Sequence, residues 1–201
     1  MQEFENGSTQ RELADRLSVI ETMLAEGRQK TESWGWSFVL WGVAYYIAAA
    51  WATMGQSNIA WPVTMITASV LTAMIATRRR GNRPETTMGR AIASIWIAMG
   101  ISLFLVCMSM ALSGHAEQHT FLAFVEGMLG AANAASSLAL KWKAQFACAV
   151  IWWASAAVSC FGTVTQGSIA FLVAIFLGQI VFGVWMMLAE ARERKQRSAH
   201  A

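Results

Sequence analysis

Apolar residues fall into six long runs, at about 34–54, 59–77, 91–112, 120–142, 144–161 and 169–188, with polar and charged residues gathered between them. Each run is close to the ~20 residues that a helix needs to cross a ~30 Å hydrocarbon core. The pattern predicts six membrane-spanning helices, grouped as hairpins over 34–77, 91–141 and 144–188. Ahead of the first run, Leu13, Leu17, Ile20 and Leu24 recur at steps of four, three and four, the seam of an amphipathic helix over 9–30. Thr9 and Glu12 match a capping box, which sets the expected start at Thr9 and leaves 1–8 frayed. Arg11–Asp15, Glu12–Arg16 and Glu26–Lys30 are i, i+4 pairs on its remaining surface, and Glu190–Arg194 and Glu193–Arg197 extend the last helix beyond its span. The expected fold class is all-α. A cytoplasmic N-terminal helix (1–33) packs beneath a six-helix transmembrane domain (34–188), and a cytoplasmic tail (189–201) ends in four disordered residues.

Local signals refine the spans. Trp34 and Trp36 read as interface anchors, and Ala44, Ala48 and Ala52 form a small-residue ridge that permits close helix approach. Pro62 falls in a first turn, where a missing amide costs little. Thr64, Thr67 and Thr72 are placed to bond their own backbone or a neighbour. Tyr45 and Tyr46 lie near mid-membrane, where their hydroxyls need partners. Residues 55–58 and 162–168 read as short polar turns.

The fourth run stands apart because it alone holds an acidic residue. On a helix turning about 100° per residue, Glu126, Gly130, Asn133 and Ser137 share one stripe, while Phe121, Phe124, Met128 and Trp142 occupy the other side. The stripe suits helices or water, and the opposite face suits lipid. Glu126 lies roughly 9 Å inside the run at ~1.5 Å per residue, where an ionised carboxylate is costly unless paired or hydrated. Apart from Lys141 at the far end of the same run, no Lys or Arg lies in any run to pair with it. It is either a proton- or cation-binding acid or a hydrogen-bonded acid joining helices. Asn133, about 10 Å further along the same face, and Gln179 of the sixth run are candidates to bond Glu126, Tyr45 or Tyr46 across the bundle.

Composition narrows the class. Hydrophobic residues make up 56% and charged residues 13%, against roughly 25% charged in soluble domains, so lipid is the expected solvent. The net charge of +3 does not indicate nucleic acid, because the basic residues flank the apolar runs. Four precede the first run, five lie between the second and third, two follow the fourth and four end the chain, which accounts for all 15. The positive-inside rule then places both termini in the cytoplasm. The N-terminal stretch lacks the apolar core of a secretory signal, so the first span is expected to direct insertion.

Cys107, Cys148 and Cys160 all sit in apolar runs and read as packing residues. His115 and His119 have i, i+4 spacing, but Glu126 is about 10.5 Å further along the axis and cannot complete a site whose bonds are ~2 Å. No metal site and no cofactor are expected. The chain contains no GxSxG, HExxH, Walker or GxGxxG sequence, and no enzyme activity is expected.

The segment Ile20-Glu21-Thr22-Met23-Leu24-Ala25-Glu26-Gly27-Arg28, followed by Trp34-Gly35-Trp36 and Leu40-Trp41-Gly42, resembles the opening of a group of small bacterial integral membrane proteins. The resemblance covers about a fifth of the chain. It implies a bacterial cytoplasmic (inner) membrane location and no particular activity. In outline, size and alanine ridge are also similar to the six-span substrate-binding subunits of vitamin importers, whose outer loops are more elaborate. The expected function is a non-enzymatic membrane scaffold or accessory subunit. Through helix 9–30 it would form a homo-oligomer or engage a membrane or cytoplasmic protein. The alternative is a small-solute or cation transporter or channel that uses Glu126.

Overall fold

In a computed structural model, the chain forms an all-α bundle, described over residues 2–55, 59–79, 87–114 and 117–199. The helices are α1 (Gln2–Glu32), α2 (Gly35–Gly55), α3 (Ala60–Arg79), α4 (Thr87–Ser113), α5 (Gln118–Leu140), α6 (Lys143–Phe161), α7 (Val164–Ile175) and α8 (Phe182–Ala199). A π-helical turn, Phe176–Val181, joins α7 to α8, so the two form one rod. There are no strands among the described residues. Six helices are long and apolar enough to cross a membrane: α2 to α6, and the α7–α8 rod. The turn at 56–58, the basic run 80–84 and His115 lie outside the described residues. So do side chains in each predicted i, i+4 charge pair, Arg11, Glu12, Lys30, Arg194 and Arg197.

Three boundaries differ from the sequence expectation. The first helix starts at Gln2, so Thr9 lies inside it rather than capping it. The last helix runs to Ala199, through half of the tail expected to be disordered. The polar turn before the sixth span shrinks to Gly162 and Thr163, because Thr163 and Gln166 form a capping box that starts α7 at Val164.

The tightest pairing also crosses the expected hairpins. α5 packs most extensively on α6, the fourth and fifth spans. Only Lys141 and Trp142 connect them, with Lys141 left-handed at φ 49°. The Trp142 amide donates to the Ser137 carbonyl at 2.8 Å and the Lys141 amide to that of Leu138 at 3.3 Å, closing the end of α5 as a Schellman turn does. So short a connection forces an antiparallel pair.

α5 is the most enclosed span and α4 the most lipid-facing. The expected two-sided α5 is therefore corrected. Phe121 and Met128 pack against the core, and Trp142 packs on Phe182 and Trp185. Only Gln118, Thr120, Ala131, Ala135 and Leu138 of α5 are exposed. The reason is that α4, α6 and α7 all pack on this one helix.

Other expectations match. Ala44 and Ala48 of the α2 ridge are buried. Thr64, Thr67 and Thr72 each bond the carbonyl four residues back. The Tyr46 hydroxyl donates to the Leu172 carbonyl at 2.8 Å, joining α2 to α7. Cys107, Cys148 and Cys160 are free thiols, but Cys160 is exposed and so is not the packing residue expected.

Candidate functional site

Two features carry chemistry: the α5–α6 interface and the outward face of α1.

The α5–α6 interface is a seam of alternating three- and four-residue steps. Leu122, Glu126, Leu129, Asn133, Ser136 and Leu140 of α5 are buried, as are Gln145, Cys148, Trp152, Ser155 and Ser159 of α6. Such steps keep one face of each helix turned to its partner. Ser155 Oγ donates to Glu126 Oε1 at 2.5 Å. With that bond as the register mark in an antiparallel pair, Leu122 falls level with Ser159, Leu129 with Trp152, Asn133 with Cys148 and Ser136 with Gln145.

Glu126 is wholly removed from solvent. Ser159, one turn further along the buried face of α6, makes no hydrogen bond to it. Asn133 does not reach Glu126, Tyr45 or Tyr46, because its amide donates to the Leu129 carbonyl of its own helix at 2.9 Å. The Ser137 hydroxyl likewise turns to its own backbone, at Ala134. Gln179 is buried in the π-helical turn of the sixth span. Gly130 serves packing: a Cβ there would run into the Trp153 ring. The stripe is buried against other helices, and Ser155 is the partner of Glu126.

Seven buried side-chain atoms on these two helices have no hydrogen-bond partner: Glu126 Oε2, Asn133 Oδ1, Ser136 Oγ, Gln145 Nε2 and Oε1, Trp152 Nε1 and Ser159 Oγ. Each such atom ordinarily costs about 1–3 kcal/mol, so their grouping on one interface calls for a role. The sequence reading missed Ser155, Ser159, Gln145 and Ser136. The missed signal was the three-four spacing of Gln145, Cys148, Trp152, Ser155 and Ser159 inside an otherwise apolar run.

His119 stands at the end of the seam away from the basic residues. Its Nδ1 lies 2.8 Å from the Ser159 carbonyl, so the Nδ1–H tautomer donates there. Nearby, Gln118 Nε2 donates to Ser168 Oγ at 3.0 Å, closing α5 onto α7. No cluster of three metal-ligating side chains occurs among the described residues.

The face of α1 gives the second feature. Leu13, Leu17 and Ile20 are 55%, 60% and 50% exposed, and Leu24 is partly exposed. The expectation that this seam packs beneath the bundle is corrected. What holds α1 is its last turns. Gly27 is buried so closely that a Cβ would come within 2.7 Å of Met88 and 2.9 Å of Leu140. Arg28 Nε donates to the Leu140 carbonyl at 2.7 Å and its Nη2 to the Lys141 carbonyl at 2.8 Å. A cationic donor on the last carbonyls of α5 is favourable, because helix ends leave those carbonyls unpaired and negative.

Comparison with known proteins returns no matching family model, no matching curated sequence and no matching solved structure.

Proposed function

We propose that the chain is a non-enzymatic membrane scaffold or accessory subunit that engages a protein partner through the outward face of α1. The observation that supports this reading is the exposure of Leu13, Leu17 and Ile20 on a helix fixed to the bundle at Gly27 and Arg28. An anchored helix that keeps its apolar seam in the open is ready to bury it against a second helix. The partner is a second copy of the chain or another protein at the same membrane face. The polar side chains of the α5 stripe, confined to helix–helix contacts, fit a scaffold better than a solute path.

The bacterial inner membrane and a cytoplasmic position for both termini belong to the same proposal. The contacts of Arg28 with Leu140 and Lys141, and of Arg79 over the Trp36 ring at 5.1 Å, gather basic residues at one end of the bundle. That end faces the cytoplasm under the positive-inside rule.

The test is Leu17→Asp with Ile20→Asp in the full chain. The expected result is a smaller assembly in detergent and loss of cross-links from a cysteine placed at Leu13, with insertion unchanged. Unchanged size and cross-linking would remove the α1 seam as a docking face.

A further inference from the structure

We propose that Glu126, Ser155 and Ser159 form a proton-binding site, reached through internal water from the His119 end of the seam. This does not rest on the α1 reading.

The geometry carries it in three steps. First, the site is built from oxygens and lies on facing helices: the Glu126 carboxyl, the Ser155 hydroxyl bonded to it and, one turn further along the buried face of α6, the Ser159 hydroxyl. Two of these oxygens, Glu126 Oε2 and Ser159 Oγ, are fully buried and unpartnered. A buried water needs two to four polar partners, and these two together offer acceptor and donor capacity to one water. Second, the line continues to the bundle end. The carbonyl of Ser159 meets the partly exposed ring of His119, whose second ring nitrogen remains to bond water outside. From the Glu126 level to the Ser159 level is one helical turn, about 6 Å at 1.5 Å per residue. Two hydrogen bonds of ~2.8 Å through one water span nearly that distance. Third, the opposite direction is closed. Level with each other beyond Glu126 lie Leu129 and Trp152, both almost wholly buried. The Trp152 ring is pressed against Gly178 of the π-helical turn, where a Cβ would come within 2.8 Å of Nε1. Trp152 Nε1 is itself unpartnered at this level but is turned onto Gly178, and the other unpartnered groups, on Asn133, Ser136 and Gln145, lie past it.

Among the described residues no cation shares the site. The titratable groups packed in the same core are Tyr45 and Tyr46 of α2 and Cys107 of α4. His119 stands one layer beyond Ser159, α7 brings no titratable side chain, and Arg28 of α1 lies at the other end. The chemistry is a reversible transfer. The acid form of Glu126 gives its proton to the adjacent water as the O–H bond breaks, that water passes a proton to further water at the His119 end, with the Ser159 carbonyl serving only as an acceptor for the His119 ring, and the reverse step restores the carboxylic acid. No other reactant is needed. One-sided access makes the site a sensor of protons on the His119 side, or half of a proton path, rather than an open channel.

The test is infrared spectroscopy of the full chain in lipid nanodiscs, with the Glu126 carboxylic acid band isolated by subtracting Glu126→Gln, or by ¹³C-labelled glutamate if that variant folds poorly. On transfer to D₂O the band should shift at least about tenfold faster than span backbone amides exchange. Ser159→Val should slow the shift by at least about tenfold, and Gln145→Leu, beyond the Leu129–Trp152 level, should not change it. A band that exchanges no faster than the amides would overturn the proposal. So would equal slowing by Gln145→Leu, or the absence of any carboxylic acid band between about pH 4 and about pH 9. Loss of the band on adding sodium ions at constant pH would assign the oxygens to a metal cation instead.

Discussion

Arg28 and Leu140 stand 112 residues apart in sequence, yet the Arg28 guanidinium donates to the Leu140 carbonyl at 2.7 Å. The bond ties the helix that precedes the membrane to the end of the most enclosed span. Arg28→Ala should therefore free α1 while leaving the six spans in place. The expected cost is about 1 kcal/mol, below the ~1.5–3 kcal/mol of a buried charged hydrogen bond because the side chain is partly exposed. Arg28→Lys should recover part of it, since an ammonium cannot reproduce the two-pronged contact with Leu140 and Lys141. Hydrogen exchange of the α1 amides, compared with those of α5, checks this: faster exchange in both helices alike would mean that the bond supports the whole bundle.

Gly35 and Gly183 mark the closest backbone crossing, between α2 and α8. A Cβ on Gly35 would come within 2.7 Å of the Gly183 carbonyl oxygen, and one on Gly183 within 2.8 Å of that of Gly35. Backbone cannot swing away as a side chain can, so Gly35→Ala and Gly183→Ala should each destabilise by about 1–3 kcal/mol. Gly100→Ala is the control, since a Cβ there meets nothing within 4 Å. It should be neutral or slightly stabilising in a detergent-denaturation midpoint measured alongside.

The Glu126–Ser155 bond gives a graded series. Glu126→Gln keeps the Oε1 acceptor and should change stability by less than about 0.5 kcal/mol, whereas Glu126→Leu strands the Ser155 donor and should cost about 1–3 kcal/mol. Ser155→Ala should cost about 1 kcal/mol. Equal midpoints for all three variants would show that the bond contributes nothing to the bundle.

Orientation is open to direct measurement. Reporter fusions after Arg79, after Lys141 and at the C-terminus should read cytoplasmic, and fusions after Gly55, Gly114 and Gly162 should read external. Two adjacent sites that report the same side would remove a span.

The sequence by itself determined the six spans and the all-α class, because in lipid every backbone amide must be satisfied within its own segment and run length alone decides where a helix can cross. It also determined that Glu126, Gly130, Asn133 and Ser137 share one face, since that follows from helical period, but not that the face is buried against other helices. Tertiary structure decided everything that depends on which helices are neighbours. A separation of 112 residues, with four spans between, says nothing of the bond from Arg28 to Leu140. The choice of Ser155 rather than Asn133 or Gln179 as the partner of Glu126 depends on the register of α5 against α6, which the left-handed Lys141 turn sets. The exposure of Leu13, Leu17 and Ile20 likewise was not legible, because an apolar seam has the same spacing whether it lies against its own bundle or faces outward. Only the anchoring of Gly27 and Arg28 on α4 and α5 turns that seam away from the membrane helices.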